Sequence, residues 1–296
     1  MKISLVLSSG GARGLAHIGV IEEILRRGHQ IVAIAGSSMG AFVGGLYASG
    51  TMEGYKKWVV DLDMMDVFKL IDFTFSSHGF IKGEKVFNEM KRLKFIPKVN
   101  IENLSLPLAI VASDIIKNEE VVFTSGDLFN AIRASVSIPN VLTPIEIPDG
   151  LLVDGGVLNP LPIDHIPNCE SDLIIAVDVN ALFPYQKPPL PKMKKSEIKK
   201  EEGRIDQLKA KWNDMIINQQ TKKTKKIKNL GYFDMFTRIM QLMQDRITQL
   251  TIETKPPDVL IQISKEACGV FEFFKAMELI EAGRIACINE LDRKGL

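Results

Sequence analysis

Two short β-prone runs near the start of the chain, Lys2–Leu7 and residues 31–35, each pass through a glycine-bearing turn straight into a segment of helical spacing. The first is followed by Gly10-Gly11-Ala12-Arg13-Gly14, after which Leu15, Ile18, Ile21 and Leu25 recur at the helical period up to Gly28. The second is followed by Gly36-Ser37-Ser38-Met39-Gly40 and an apolar, small-residue helix over Met39–Ala48, closed by Gly50. Strand–helix–strand–helix in so short a span requires crossovers between parallel strands. The expected class is therefore α/β, with helices on the faces of a mainly parallel sheet.

Farther along, residues 84–94 read as a helix, 106–112 and 120–124 as strands, and 127–134 as a short helix capped by Asp127. Residues 151–153 and 173–179 read as buried strands, 259–263 as the last strand and 271–291 as a closing helix. With 46% hydrophobic residues over 296, the chain can bury one sizeable core, and a single domain over 1–296 is expected. A Pro/Lys-rich stretch at about 184–230 interrupts it, with 14 Lys/Arg against 5 Asp/Glu between Lys187 and Lys228. It reads as a helical insertion with a solvated basic face, or as a lid or arm that meets an anionic membrane surface.

A formal net charge of +1 gives no general argument for nucleic acid as a partner. Cys169, Cys268 and Cys287 are scattered, which suits a reducing compartment and argues against a zinc site or a disulfide framework. No apolar run approaches the ~20 residues of a membrane span. The apolar start ends at Leu7, short of the ~7–15 residues of a signal-peptide core. A cytoplasmic protein is expected, with peripheral membrane attachment open.

A Gly-x-Ser-x-Gly turn between strand and helix sets its serine at the apex, in a strained backbone conformation, between small neighbours that avoid collision. Gly36-x-Ser38-x-Gly40 fits this pattern and singles out Ser38 over Ser37. A helix begins there, so the Met39 amide and the helix dipole can stabilise a nearby oxyanion. Ser-Ser after a strand is also an ordinary helix cap, and the five residues alone leave both readings open.

The loop Gly10–Gly14 lacks the G-x-G-x-x-G pattern, and no acidic residue ends the second strand to hold a ribose. It also lacks the Gly-Lys-Ser/Thr of a phosphate-binding loop. Consecutive amides of Gly10, Gly11, Ala12 and Arg13 can instead form a concave nest for a negative oxygen, beside Ser38 on an adjacent strand. A catalytic serine needs a base. His17, His29, His78 and His165 each read as surface or helix-packing residues. Asp154, at the end of a short strand and backed by Gly155-Gly156, is placed to accept a proton, although Asp-Gly-Gly in isolation is also a common turn.

Together Gly10-Gly11-Ala12-Arg13-Gly14, Gly36-Ser37-Ser38-Met39-Gly40 and Asp154-Gly155-Gly156 resemble the patatin-like phospholipase family, in its order and with similar spacing. ASVSIP at 134–139 and NPLP at 159–162 are similar to its bacterial members. The resemblance covers about residues 1–180, thins over the basic stretch and returns weakly in the last strand and helix. It implies a three-layer α/β/α sandwich with Ser38 as nucleophile, Asp154 as base without a catalytic histidine, and the Gly10–Gly14 loop as oxyanion donors. It further implies hydrolysis of acyl esters of phospholipids, lysophospholipids or neutral glycerolipids, with no metal or cofactor. A free Asp ionises near ~3.9, so a base at neutral pH must be raised by burial.

Two other readings use the same residues. One is an acyltransferase, which typically carries His where this chain has Ser37; the other is a non-catalytic lipid-binding protein of the same fold. Residues 58–75 and 232–243 are apolar and able to line an acyl channel, the second reading rather as a packed helix.

Overall fold

The computed structural model describes residues 1–70, 84–139, 141–190 and 232–296. Most of the basic stretch expected at about 184–230 lies outside the described residues, as do His78 and residues 71–75. The chain forms two compact units, one of Met1–Pro188 with Gln244–Leu296 and one of Pro189–Met243.

The first unit is built on one sheet. Its strands are β1 (Lys2–Leu7), β2 (Gln30–Ser37), β3 (Leu108–Asp114), β4 (Glu119–Phe123), β5 (Ile145–Ile147), β6 (Gly150–Asp154), β7 (Leu173–Ala181) and β8 (Val259–Ser264). Their order is β5-β6-β3-β2-β1-β7-β8, with β4 also paired to β3. The pairs β3–β2, β2–β1, β1–β7 and β7–β8 are parallel. Antiparallel pairing begins beyond β2, where β4 and β6 both join β3 and β5 joins β6.

Strand alternation assigns the two faces. Ile3, Leu5 and Leu7 of β1 join one large core with residues of α1 (Ala16–Arg26), α2 (Met39–Ala48) and α8 (Ala276–Lys294). Val6 points the other way, into a smaller cluster with Ala176, Leu161 and Ile163, against which Ile252 of α7 (Tyr232–Thr254) packs. Both faces are covered, as the alternating strands and helices require. Helices α1 and α8 approach to backbone contact. A Cβ added at Gly19 would strike the Ile280 carbonyl oxygen, and one at Gly283 the Ala16 carbonyl oxygen.

Four helices complete this unit: α3 (Met52–Val60), α4 (Met64–Leu70), α5 (Glu84–Arg92) and α6 (Leu128–Ser135). As expected, Asp127 caps α6, its side chain accepting from the Asn130 amide at 2.8 Å. The closing helix starts at Ala276 rather than at 271, because Phe273–Lys275 forms a 3-10 turn instead. Residues 232–243 are helical as expected, and among the described residues Met235, Ile239, Leu242 and Met243 of α7 are exposed.

Candidate active site

The register of β1 on β2, with Leu7 opposite Gly36, puts the turns after both strands at the same edge of the sheet. Open α/β sheets place their ligands at this carboxyl edge. Ser38, just after β2, has φ 53° and ψ −120°, a conformation that an L-residue holds only under constraint. Its carbonyl accepts the Phe42 amide at 3.0 Å, and its own amide donates to the Ser135 hydroxyl at 2.9 Å. Gly36 is the penultimate residue of β2 and Gly40 lies in the first turn of α2. A Cβ on Gly40 would strike the Leu7 carbonyl, so only glycine lets the helix start against β1.

Asp154 ends β6 and pairs with Ala112 of β3. Ser38 Oγ donates to Asp154 Oδ2 at 2.5 Å, and Asp154 Oδ1 accepts the Gly156 amide at 2.8 Å. Burial pushes the Asp154 carboxyl up to about 7, although the bonds from Ser38 and Gly156 pull it down. Gly155 and Gly156 open a 3-10 turn, and the Gly156 carbonyl accepts from the Gln244 side chain at 2.9 Å. Ser37 lies fully buried in β2, and its hydroxyl has no hydrogen-bond partner among the described residues.

The glycine loop runs beside this pair. Gly11–Leu15 forms a 3-10 turn, with Gly11 at φ 55°. The Ala12 amide donates to the Val270 carbonyl at 2.8 Å and is committed to holding the loop. The amides of Gly10, Gly11 and Met39 meet no acceptor among the described residues. Arg13 is buried, its guanidinium donating twice to Asn180 Oδ1 and once to the Cys268 carbonyl, which ties the loop to the end of β7 and to the segment after β8. Gly14 lies against the Met39 side chain.

None of the described histidines joins the pair. His17 is buried in α1, with Nε2 2.9 Å from the Ser8 carbonyl, and burial pushes it down to about 4, so it is neutral at physiological pH. His165 bonds to Glu120 instead. Among the described residues no cluster of three or more His, Cys, Asp or Glu could hold a metal ion, and no helix is long and apolar enough to cross a membrane.

Ser38 and Gly11 lie in the wall of a cavity of about 150 Å³. The rest of the lining is largely apolar: Met39, Phe42, Tyr55, Trp58, Val59, Leu62, Val67 and Leu70 from α2 to α4, and Val86, Phe87 and Met90 from α5. Val136, Ile138, Val141 and Leu142 follow α6, and Val270, Phe271 and Phe273 precede α8. The described part of the apolar stretch 58–75 thus contributes to this wall. The sequence reading missed Ser135, Asn180, Gln244 and the 268–273 segment as neighbours of the site. The one local signal among them is Ser135, a serine in the apolar run ASVSIP.

The patatin-like phospholipase family model matches residues 5–166. An uncharacterized NTE family protein of Mycobacterium tuberculosis is 32% identical over 333 aligned residues, covering 98% of this chain and 91% of that one. Lysophospholipase NTE1 of Pyricularia oryzae is 35% identical over 186 residues, covering 61% of this chain and 12% of the fungal protein. Among solved structures, VipD from Legionella pneumophila aligns over 99% of this chain and 66% of its own with a TM-score of 0.47 at 13% identity.

Proposed function

The chain belongs to the patatin-like phospholipase family and is a lipolytic hydrolase, and we propose that it cleaves fatty-acyl esters of lysophospholipids and related glycerolipids through Ser38 and Asp154. The observation that carries this reading is the 2.5 Å bond from the Ser38 hydroxyl to a buried carboxylate, at the wall of an apolar cavity. An acyl chain lies in that cavity, where each buried methylene favours binding by about 0.8 kcal/mol. The likeness to a fungal protein named lysophospholipase favours a single-chain lipid among these substrates.

In the first step the Ser38 oxygen attacks the ester carbonyl and its proton passes to Asp154. Negative charge develops on the carbonyl oxygen and is met by amides of Gly10, Gly11 and Met39, with the α2 N-terminus adding its dipole. The tetrahedral intermediate collapses, the glycerol oxygen takes the proton from Asp154 and leaves, and the acyl group stays on Ser38. Water then gives a proton to Asp154 as it attacks the acyl-enzyme. The fatty acid departs as Ser38 recovers the proton. Basic residues of the 184–230 stretch draw the protein to an anionic membrane surface.

The test is hydrolysis of lysophosphatidylcholine and of two-chain phosphatidylcholine by the purified chain and by Ser38→Ala and Asp154→Asn. The expected result is fatty-acid release from the lysolipid by the parent alone. Release by either variant at the parent rate would remove the dyad from the mechanism.

A further inference from the structure

We propose that Ser135 is a positioning residue for the nucleophile, and that the turn at residues 135–137 sets the relative placement of Ser38 and Asp154. This inference rests on the Ser38–Asp154 reading above.

A non-glycine residue at φ 53° and ψ −120° persists only where its surroundings over-determine it. One constraint on Ser38 is local, the Phe42 amide on its carbonyl. A second comes from 97 residues away, the Ser135 oxygen that accepts the Ser38 amide at 2.9 Å. Ser135 is fully buried, and its hydroxyl donates to the Val111 carbonyl at 2.6 Å. With its one proton aimed at Val111, the oxygen faces the Ser38 amide with a lone pair. Val111 lies opposite Ser37 in the β2–β3 ladder, so Ser135 references the elbow to the sheet itself.

Two residues on, the Ser137 carbonyl accepts the Asp154 amide at 2.9 Å. The strands carrying the two side chains do not pair with each other, because β3 stands between β2 and β6 in the sheet order. The contact between Ser38 Oγ and Asp154 Oδ2 therefore depends on how two separate strand ends are held. The last residue of α6 and the residue two beyond it hold the backbone of both. Alanine at position 135 leaves the Ser38 amide buried without an acceptor and frees the elbow to relax. The Ser38 hydroxyl then drifts from Asp154, which loses a bond that favours its ionised form.

The experiment compares the full chain with Ser135→Ala, with Ser135→Cys, which keeps a side-chain donor and acceptor but is larger and bonds more weakly, and with Ser38→Ala. The readouts are kcat and KM on a soluble ester across pH, the labelling rate of Ser38 by a fluorophosphonate, and the melting temperature. For Ser135→Ala, kcat and labelling rate fall about 10- to 100-fold, KM stays unchanged, and the rising limb of kcat/KM moves to higher pH. Ser135→Cys falls between. Parent-like kcat and pH profile in Ser135→Ala, with Ser38→Ala inactive, overturn this inference alone. So does a loss that follows the unfolded fraction with the pH limb unmoved. Hydrolysis by Ser38→Ala at the parent rate overturns the dyad, and this inference with it.

Discussion

The Ser38 hydroxyl donates to Asp154 Oδ2 across 2.5 Å, at a point where each residue is only 4% exposed. Burial holds the Asp154 acid up to about 7, and a carboxylate accepts a proton only when ionised. Hydrolysis should therefore rise with pH along a single-proton limb centred near 7 and level off above it. Initial rates on a soluble ester, fitted as kcat/KM against pH, measure the midpoint. A flat profile from about pH 5 to about pH 8 would show that a different group takes the proton.

The same displacement makes Asp154 a stability term. Its folded value lies above its unfolded one, so the native state keeps the proton longer. The stabilisation is fully present below about 3.8 and is lost as pH rises through about 7. A neutral isostere escapes that loss. Asp154→Asn should melt above the parent at about pH 8 and lose this advantage at about pH 4.5, the difference being on the order of 4 kcal/mol at most. Thermal melts of both proteins at the two pH values decide it. Parallel melting temperatures would place the carboxyl in a wetter setting than its burial indicates.

Strain at Ser38 predicts an inversion of the usual ranking of alanine and glycine. Both Ser38→Ala and Ser38→Gly remove the hydroxyl and should abolish activity, but only glycine adopts φ 53° without a Cβ penalty. Elsewhere glycine costs about 0.5–1 kcal/mol relative to alanine, whereas strain of this kind costs about 1–3 kcal/mol. Ser38→Gly should thus be the more stable of the two by about 1 kcal/mol, read by denaturant titration. Ser37→Ala should keep most of the activity, because the Ser37 hydroxyl has no hydrogen-bond partner among the described residues.

These relationships were legible in the sequence to different degrees. Local chemistry announced the elbow: glycines at 36 and 40 around Ser38, an apolar strand before and a small-residue helix after. Strand β1 and helix α2 have the expected boundaries, because apolar periodicity and glycine stops coincide there. Pairing was harder to see. Nothing near Ser135 says that its hydroxyl meets an amide 97 residues earlier, or that Val270 closes over Ala12. Such contacts follow from strand order, which a chain's own periodicity does not encode. The ladder also extends past the apolar residues, so β2 runs to Ser37 and β7 to Ala181.

The α1–α8 crossing should tolerate no side chain at its closest point. A methyl at Gly19 meets the Ile280 carbonyl, which is backbone and cannot swing aside. Gly19→Ala should cost about 3 kcal/mol or more by overpacking. For a Cβ at Gly54, inside α3, the only atom within 4 Å among the described residues is Phe95 Cε1 at 3.8 Å. Gly54→Ala should instead stabilise by up to about 1 kcal/mol, the ordinary helix-propensity gain. Melting curves of the two variants should move in opposite directions, and a shared direction would contradict the close approach of α1 and α8.

The cavity beside Ser38 should set the length of acyl chain that the enzyme prefers. Each methylene buried in the transition state is worth about 0.8 kcal/mol, so two more carbons should raise kcat/KM about 10-fold until the wall is reached. Val59, in α3, and Leu62, just after it, line that wall. Val59→Phe and Leu62→Trp fill space that the alkyl tail would occupy, so the rise should stop at shorter esters while rates on acetyl and butyryl esters stay at the parent level. A series of nitrophenyl esters of increasing length measures the break point in each variant. Uniform loss at every length would indicate a disturbed fold, and an unmoved break point would mean that the acyl chain leaves Ser38 by another route.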